Sequence, residues 1–323
     1  MSFQQIMGQQ AAKKMLQSSL RRKAISHAYL FSGPAGSGQR KTAITFAKAI
    51  FCTELEDDAC GQCLECRKVD HGNHPDLTML APDGNNIKID QIRDLQRIFS
   101  YRSEAGHPKV YIIEQAEKMT VQAANSLLKF LEEPQVPAVG ILITDNGQAM
   151  LPTIRSRSQL VPFSALNPEE MLQSLIEEGH PANLARSAVH LASGLEACRE
   201  ILQQNWFAEI RNVMLQLGKE SLGRGSTSLI SAQQKLFKTG LSEHLDMLLS
   251  LFHLWFRDML YVQYDRHEHI VFIDQLDMLS QLAHTRSTEQ WVSYMDMAAA
   301  CRKKLRFNVN GQLCLEQFLI GLA

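Results

Sequence analysis

The chain has 323 residues, 45% of them hydrophobic, with 33 basic and 34 acidic side chains and a formal net charge of −1. This balance excludes a protein that binds nucleic acid through a large overall positive charge, although a local basic patch stays compatible with it. No apolar run approaches the roughly 20 residues that span a bilayer, and the first residues lack a signal-peptide core. We therefore expect a cytoplasmic protein of about two or three domains.

The first half of the sequence alternates short apolar runs with helical patterns. Five runs predict strands at residues 28–32, 76–80, 109–114, 139–144 and 159–163. Helical patterns follow the first run and occupy residues 89–101 and 121–133 between the later ones. Alternating strands and helices predict a parallel sheet covered by helices, which binds its ligands at the carboxyl ends of the strands.

After the fifth predicted strand the sequence becomes entirely helical. An Asn-Pro-Glu-Glu start at 167–170 is typical of a helix N-terminus. Residues 164–207 predict a small helical domain, and residues 208–323 predict a longer one with a Gly- and Ser-rich linker at 223–228. The predicted domains are therefore 1–163, 164–207 and 208–323.

A glycine-rich segment, GPAGSGQRKT at 33–42, follows the first predicted strand and nearly matches the phosphate-binding pattern G-x-x-x-x-G-K-[ST]. The candidate phosphate-loop residues are Gly33, Gly36, Gly38, Gln39 and Arg40. The glycines preserve a loop whose backbone N–H groups would surround phosphates. Gln39 stands where a lysine would reach the β- and γ-phosphates, and Arg40 replaces the hydroxyl that would hold Mg²⁺.

Lys41 and Thr42 are the residues that could replace the two missing groups. Lys41 lies roughly 200° around a helix from position 39, which points it away from the phosphates unless the helix starts late. Two interpretations stay open from the loop alone. It is either a degenerate turn for which we do not expect ATP and Mg²⁺ binding, or the shifted loop of an active ATPase.

The third predicted strand ends in Glu114 and Gln115, where an ATPase would carry Asp-Glu. Glu114 could still hold a metal ion, although its side chain is one methylene longer than that of Asp. Gln115 cannot accept a proton as a carboxylate would. Defects at both ends of one reaction favour a lost activity.

Four cysteines cluster after the first predicted helix: Cys52, Cys60, Cys63 and Cys66. Four thiolates can close a tetrahedral zinc site of the structural kind. An iron–sulfur cluster is the alternative, but its motif normally continues C-x3-C-P, whereas RKVDH follows here. His71 or His74 could replace one thiolate, although exposed histidines are the simpler interpretation. Structural zinc is favoured, and free thiols stay possible.

The glycine-rich segment and the cysteine cluster belong to a longer series of motifs. The others are VYIIEQAEKMT at 110–120, NSLLKFLEEP at 125–134 and LPTIRSRSQ at 151–159. In this order, the motifs resemble the bacterial clamp-loader subunits of DNA polymerase III. The resemblance covers essentially the whole chain and weakens after about residue 205. It implies an α/β AAA+ module with a P-loop NTPase-like parallel sheet, then an all-α lid and an all-α collar. The implied partners are tau/gamma and delta subunits in a ring of five, with the sliding clamp and primer-template DNA reached through the complex and no membrane.

The resemblance also implies roles for two residues near the predicted strand ends. Residues 156–158 fall on the family's Ser-Arg-Cys segment, so Arg157 matches an arginine finger that enters a neighbouring subunit's ATP site. The alternative for Arg157 is a surface arginine paired with a carboxylate. Thr144 matches the family's polar sensor residue at the end of the fourth strand, where it could instead cap the strand.

The sequence therefore predicts a non-hydrolysing subunit that assists ATP-dependent opening and loading of the sliding clamp, as part of a DNA polymerase holoenzyme in the cytoplasm. The substitutions at Gln39, Arg40 and Gln115 set the chain apart from the ATP-hydrolysing tau/gamma subunits. An active tau/gamma-like ATPase is one alternative. A zinc-dependent nucleic-acid binder within residues 1–163 is another, and the neutral charge balance argues against it.

Overall fold

The computed structural model describes residues 2–100, 106–132, 136–223, 225–307 and 309–322. These residues belong to two compact units, Met1–Asn167 and Pro168–Ala323. The predicted division into three domains, with boundaries at residues 163 and 207, stays a prediction. Within the described ranges, no helix combines the length and apolar character needed to cross a bilayer.

The described strands of the first unit form one parallel sheet. They are β1 (Ala28–Ser32), β2 (Leu77–Leu80), β3 (Lys109–Ile113), β4 (Ala138–Thr144) and β5 (Gln159–Pro162). Each lies within one residue of the apolar run that predicted it, and the order across the sheet is β2-β3-β4-β1-β5. At the carboxyl end of β1, Ser32 is opposite Thr144 of β4 and Pro162 of β5. The glycine-rich loop therefore leaves the sheet between the ends of two neighbouring strands.

Helices cover both faces of this sheet. They are α1 (Gln10–Arg21), α2 (Gln39–Phe51), α3 (Leu64–Asp70), α4 (Ile89–Ile98), α5 (Val121–Glu132) and α6 (Pro152–Arg157). Successive side chains of a strand point to opposite faces. Tyr29 and Phe31 of β1 consequently join one apolar core with Phe46 of α2, while Leu30 joins a second core with Leu127 of α5. This parallel sheet between helical layers confirms the predicted α/β fold class of the first unit.

The second unit is helical throughout its described residues. Its α-helices are α7 (Pro168–Glu177), α8 (Ala182–Leu191), α9 (Leu195–Leu202), α10 (Asn205–Gly223), α11 (Gly225–Ala232), α12 (Leu245–Gln263), α13 (Leu276–Ala283), α14 (Thr288–Leu305) and α15 (Gly311–Leu322). Phe256 of α12 anchors the core, with its ring centroid 5.9 Å from Trp291 of α14 and 6.4 Å from Phe318 of α15. A disulfide between Cys301 and Cys314 joins α14 to α15.

Some predicted boundaries differ from the structure. The predicted linker at 223–228 is wrong for its described part, because Gly225–Ala232 is helical and Ser228 is fully buried. The predicted helix at 89–101 ends at Ile98, and Phe99 turns out of the helix into the core. Residues 101, 133–134 and 224, which also carried predictions, lie outside the described residues.

Candidate nucleotide and metal sites

The glycine-rich loop joins β1 to α2 and is anchored to both neighbouring strand ends. The Gly33 N–H donates to the Thr144 carbonyl O at 3.2 Å. Gly36 and Gly38 have φ angles of 73° and 95°, and Gly38 is the N-cap of α2. These left-handed conformations suit glycine, which has no Cβ to clash with the backbone. The predicted loop, with its N–H groups at a helix N-terminus, is therefore present.

Gly33→Ala is expected to lower the free energy of unfolding by about 3 kcal/mol, because overpacking of a tight site forces the backbone to move. A Cβ at Gly33 would lie 2.2 Å from the Phe163 carbonyl O. The matched control is Gly223→Ala, where an added Cβ meets nothing within 4 Å. Urea unfolding followed by circular dichroism measures both variants. Equal stability of the two variants would contradict the close approach of the loop to Phe163.

Gln39 folds back onto the loop that it follows. Its Nε2 donates to the Gly33 carbonyl O at 2.7 Å, and the residue is only 4% exposed. A lysine at this position would extend its ammonium to the β- and γ-phosphates. The Gln39 amide instead satisfies a carbonyl of the loop itself, so this position supplies no positive charge to a bound phosphate.

Arg40 and Glu114 pair with each other across the site. Arg40 Nε lies 2.7 Å from Glu114 Oε1, and these side chains are 61% and 25% exposed. In an ATPase, a hydroxyl at position 40 and an acid at position 114 would both help to hold a magnesium ion. In this chain a guanidinium pairs with the acid instead.

The start of α2 decides whether Lys41 and Thr42 form a shifted loop. The helix begins at Gln39, which is not the late start that a shifted loop needs. The Thr42 hydroxyl is buried and donates to the Gly38 carbonyl O at 2.9 Å. Thr42 therefore bonds back along its own helix, and it offers no hydroxyl to a metal ion in this arrangement.

Two further predicted residues close the neighbouring strands. Gln115 is exposed, follows β3 and has φ and ψ angles of 50° and 49°. Thr144 is fully buried at the end of β4, and its Oγ1 accepts a hydrogen bond from the Asn146 N–H at 3.2 Å. Thr144 thus caps its strand, which is the second of the two roles considered for it.

Arg157 is the last residue of α6 and lies at the surface. Its Nη2 is 2.7 Å from Glu132 Oε1, and its Nη1 donates to the Thr153 carbonyl O at 3.2 Å. The side chains of Arg157 and Glu132 are 39% and 46% exposed. Exposed ion pairs of this kind contribute at most about 1 kcal/mol. In the single chain, Arg157 therefore forms a weak surface ion pair with Glu132. This is the alternative role that the sequence analysis considered for it.

The four clustered cysteines come together between α2 and α3. The sulfur atoms of Cys52, Cys60, Cys63 and Cys66 all lie within 4.8 Å of one another. The 3.9 Å separation of Cys60 Sγ and Cys66 Sγ is close to the roughly 3.8 Å between sulfur ligands of a tetrahedral zinc ion. The Cys63 N–H donates to Cys60 Sγ at 3.2 Å, a contact that stabilises a thiolate. Against the effect of burial, backbone N–H groups lower the pKa of Cys63 to about 6.

Comparisons with known proteins connect these sites to one family. The family described as DNA polymerase III, delta subunit, matches residues 8–167, and its C-terminal counterpart matches residues 204–323. DNA polymerase III subunit delta' of Bacillus subtilis (strain 168) is 36% identical over 313 residues, which cover 96% of this chain and 94% of the relative. The chain belongs to the delta-prime subunit family of bacterial DNA polymerase III.

Two further relatives show how the similarity is distributed. Subunit delta' of Pseudomonas aeruginosa is 30% identical over 308 residues, covering 92% of both chains. Subunit tau of Bacillus subtilis is 34% identical over 197 residues, which cover 58% of this chain and 35% of tau. The similarity to these two delta-prime relatives thus extends through nearly the whole chain, whereas the similarity to this tau subunit is confined to part of it.

In this delta-prime family member, the N-terminal segment supports the glycine-rich loop in a way that the sequence analysis missed. Gln9 Nε2 donates to the carbonyl O of Ser37 at 3.0 Å and of Ser164 at 2.7 Å. The buried Lys13 donates to the Ile6 carbonyl O at 2.8 Å, and burial lowers its pKa. Because the two Gln9 bonds join residues 28 and 155 positions apart in sequence, no local motif indicates them.

A second group of metal-type ligands, Glu65, His74 and His107, lies in the same unit. His74 was expected to be exposed, but it is 4% exposed and its ring stacks on Phe51 at 3.9 Å. Its Nδ1 accepts a bond from the Asp76 N–H at 3.1 Å, and its Nε2 lies 2.9 Å from Glu65 Oε2 without forming a hydrogen bond to it. One ring nitrogen of His74 is therefore occupied by a backbone N–H, and the four cysteines need no histidine.

Proposed function

We propose that this chain is the non-hydrolysing subunit of a clamp loader. In this role it assists ATP-dependent opening and loading of the sliding clamp onto primed DNA, and it supplies Arg157 to the ATP site of a neighbouring tau/gamma subunit. The observation that carries the first half of the proposal is the Arg40–Glu114 ion pair. It places a positive charge against the acid that would help to hold magnesium.

The loop retains its shape but has lost the groups that act on a triphosphate. Gln39 is turned onto the loop carbonyl of Gly33, Thr42 is bonded within α2, and Gln115 has no carboxylate. Phosphoryl transfer depends on positioning and on neutralising charge with Lys and Mg²⁺. A site without either cation is expected to contribute to subunit architecture rather than to hydrolysis.

Arg157 supports the second half of the proposal by chemistry and position. A guanidinium is planar, stays charged and offers paired N–H donors that match phosphate oxygens. Arg157 ends a short helix at the surface, and its exposed partner Glu132 competes only weakly for it. Exchange of that carboxylate for a neighbour's γ-phosphate would place positive charge where the transition state accumulates negative charge.

The four cysteines fit a structural zinc ion. Four sulfur atoms within mutual reach leave no open coordination position, so the site would stabilise the 52–66 segment rather than catalyse a reaction. Zinc would supply folding energy there, and the chain's thiolates would hold it. The proposed partners are tau/gamma and delta subunits in a hetero-pentamer in the cytoplasm, which reach the clamp and primer-template DNA as an assembly.

The isolated chain is expected to release no phosphate from Mg-ATP above background, because its loop lacks both the lysine and the metal hydroxyl. Phosphate release and equilibrium dialysis with labelled Mg-ATP measure this, with a tau/gamma subunit as the positive control. Lys41→Ala should behave as the wild type. Tight Mg-ATP binding that disappears in Lys41→Ala would support the shifted-loop ATPase and contradict the proposal.

A further inference from the structure

A polar cavity of about 230 Å³ lies within the second unit, between α7, α8, α12 and the 3-10 turn His267–His269. Its walls carry two pairs of side chains spaced four residues apart, Arg186 and His190 on α8 and Arg257 and Tyr261 on α12. Residues four apart share one face of a helix. Each helix therefore presents an arginine together with a second polar side chain to the same space.

Arg257 has a guanidinium without an acidic partner. Its Nε is buried and forms no hydrogen bond, and no ion pair of Arg257 occurs among the described residues. The guanidinium lies over the Tyr261 ring at 5.4 Å from the centroid, which fixes its plane. A buried polar N–H group without a partner is destabilising, so an acceptor in the cavity would be stabilising.

The nearby acids neutralise the two arginines only in part. Glu169 is 3.9 Å from Arg186, and its side chain is 68% exposed. Glu268 lies at the exposed rim, beside His269 at 3.4 Å. These contacts are weak because both acids remain in water.

The acid next to Arg257 along α12, Asp258, is engaged through one of its two carboxyl oxygens, while its Oδ1 is buried without a hydrogen-bond partner. Asp258 Oδ2 accepts hydrogen bonds from the N–H groups of Val271 and Phe272 at 2.9 and 2.8 Å. Burial raises the pKa of Asp258 to about 7, so near neutral pH this carboxyl group is only about half ionised. The charge of Arg257 acts on this carboxyl group and opposes the effect of burial on its pKa, but the Nε donor of Arg257 stays without a hydrogen-bond partner.

The first turn of α7 adds a further positive feature. Pro168 and Glu169 of that turn line the cavity, and α7 has 10 residues. The N-terminus of a helix carries partial positive charge and favours anions. The cavity thus combines two guanidinium groups and a helix N-terminus, with the imidazoles of His190 and His269 as additional hydrogen-bonding groups.

We propose that Arg186 and Arg257 form a binding site for a small phosphate-class oxyanion, with inorganic phosphate and pyrophosphate as its simplest forms. Paired arginine donors match phosphate oxygens, and two guanidinium groups suit a multiply charged anion better than a single carboxylate. The cavity is smaller than the roughly 300–1,000 Å³ of pockets for drug-sized ligands, which favours a small anion over a whole nucleotide. The site does not depend on the glycine-rich loop of the first unit.

Titration of the full chain with pyrophosphate tests this site. We expect saturable binding of one pyrophosphate by isothermal calorimetry, with shifts of the His190 and His269 ring signals in NMR spectra. Arg257→Gln should weaken binding by about tenfold or more, because it removes a charge-assisted donor pair. Arg257→Lys retains the charge without the paired donors, so it should give an intermediate loss.

Two variants keep the result independent of folding. Arg186→Gln removes the second guanidinium and should weaken binding similarly, whereas Arg306→Gln removes the same charge from an exposed helix end of the same unit and should change nothing. Circular dichroism confirms that each variant is folded. The proposal would be overturned if pyrophosphate did not bind, or if Arg257→Gln left its affinity unchanged. It would also be overturned if a single-stranded oligonucleotide bound in a way that depends on Arg257 while pyrophosphate did not bind.

Discussion

Arg157→Ala is expected to slow ATP hydrolysis by about 10³-fold or more at the one site of a reconstituted clamp loader that receives this side chain. Arg157 is proposed to neutralise charge on the transferring phosphoryl group. A methyl group in its place leaves that charge uncompensated in a site with little water. The loss should fall on the rate of the chemical step, and assembly of the complex should be preserved.

The measurement is single-turnover phosphate release. The tau/gamma subunits carry replacements of their own candidate arginine fingers, so that only the ATP site that receives Arg157 hydrolyses ATP. Arg155→Ala is the matched control, since Arg155 also lies on α6 but bonds Gln148 Oε1 at 2.9 Å. Arg157→Lys should remain well below the wild type, because an ammonium lacks the paired planar donors. Unchanged turnover in Arg157→Ala would remove the finger role.

Loss of the metal is expected to unfold the segment 52–66, which is the second large effect. Structural zinc sites contribute about 10–16 kcal/mol of binding free energy at neutral pH, and that energy is folding energy for a small metal-stapled segment. Cys60→Ser removes one of the four sulfur ligands. The variant should lose zinc and become sensitive to proteolysis within the segment, while the sheet beside it stays folded.

Elemental analysis should give one zinc ion per wild-type chain, and limited proteolysis with mass spectrometry should locate the new cleavage sites. Cys198→Ala is the matched control, because Cys198 is a buried cysteine in the other unit, with its Sγ 3.6 Å from the Ala188 carbonyl O. Retained zinc in Cys60→Ser, or a wild-type proteolysis pattern after chelation, would contradict the four-cysteine site. Visible charge-transfer absorption with bound iron would identify the iron–sulfur alternative instead.

The sheet could be predicted from the sequence because its signals are local. Each strand is a short apolar run bounded by polar residues or glycine, and the buried run 28–32 gave both ends of β1. The glycine loop follows from the same kind of local pattern, but the sequence left open whether the next helix starts late, and the structure begins α2 at Gln39. The cysteine cluster also followed from spacing alone.

The errors arose where tertiary packing overrides local preference. Gly and Ser composition predicted a linker at 223–228, yet α11 runs there and Ser228 is buried inside the helical unit. His74 was expected at the surface, but the ring of Phe51 and the carboxylate of Glu65 create a buried position for it. Neither partner could be identified from sequence neighbours.

The Arg40–Glu114 pair shows the limit of motif analysis most clearly. The motifs indicate that a lysine, a hydroxyl and a carboxylate are missing, but they do not indicate that two of the substituted positions meet. These residues are separated by 74 positions and come together only because β1 and β3 end at the same edge of the sheet. The motifs therefore could not indicate the ion pair that the structure shows.

The structure of the assembled complex with a non-hydrolysable ATP analogue and Mg²⁺ tests the central claim most directly. The account predicts that the Arg157 guanidinium leaves Glu132 and lies within hydrogen-bond distance of the γ-phosphate in the adjoining tau/gamma subunit. In the same complex, Arg40 should remain paired with Glu114, without Mg²⁺ between the loop 33–42 and β3. A magnesium-bound triphosphate in that loop, or an Arg157 distant from every neighbouring γ-phosphate, would contradict the account.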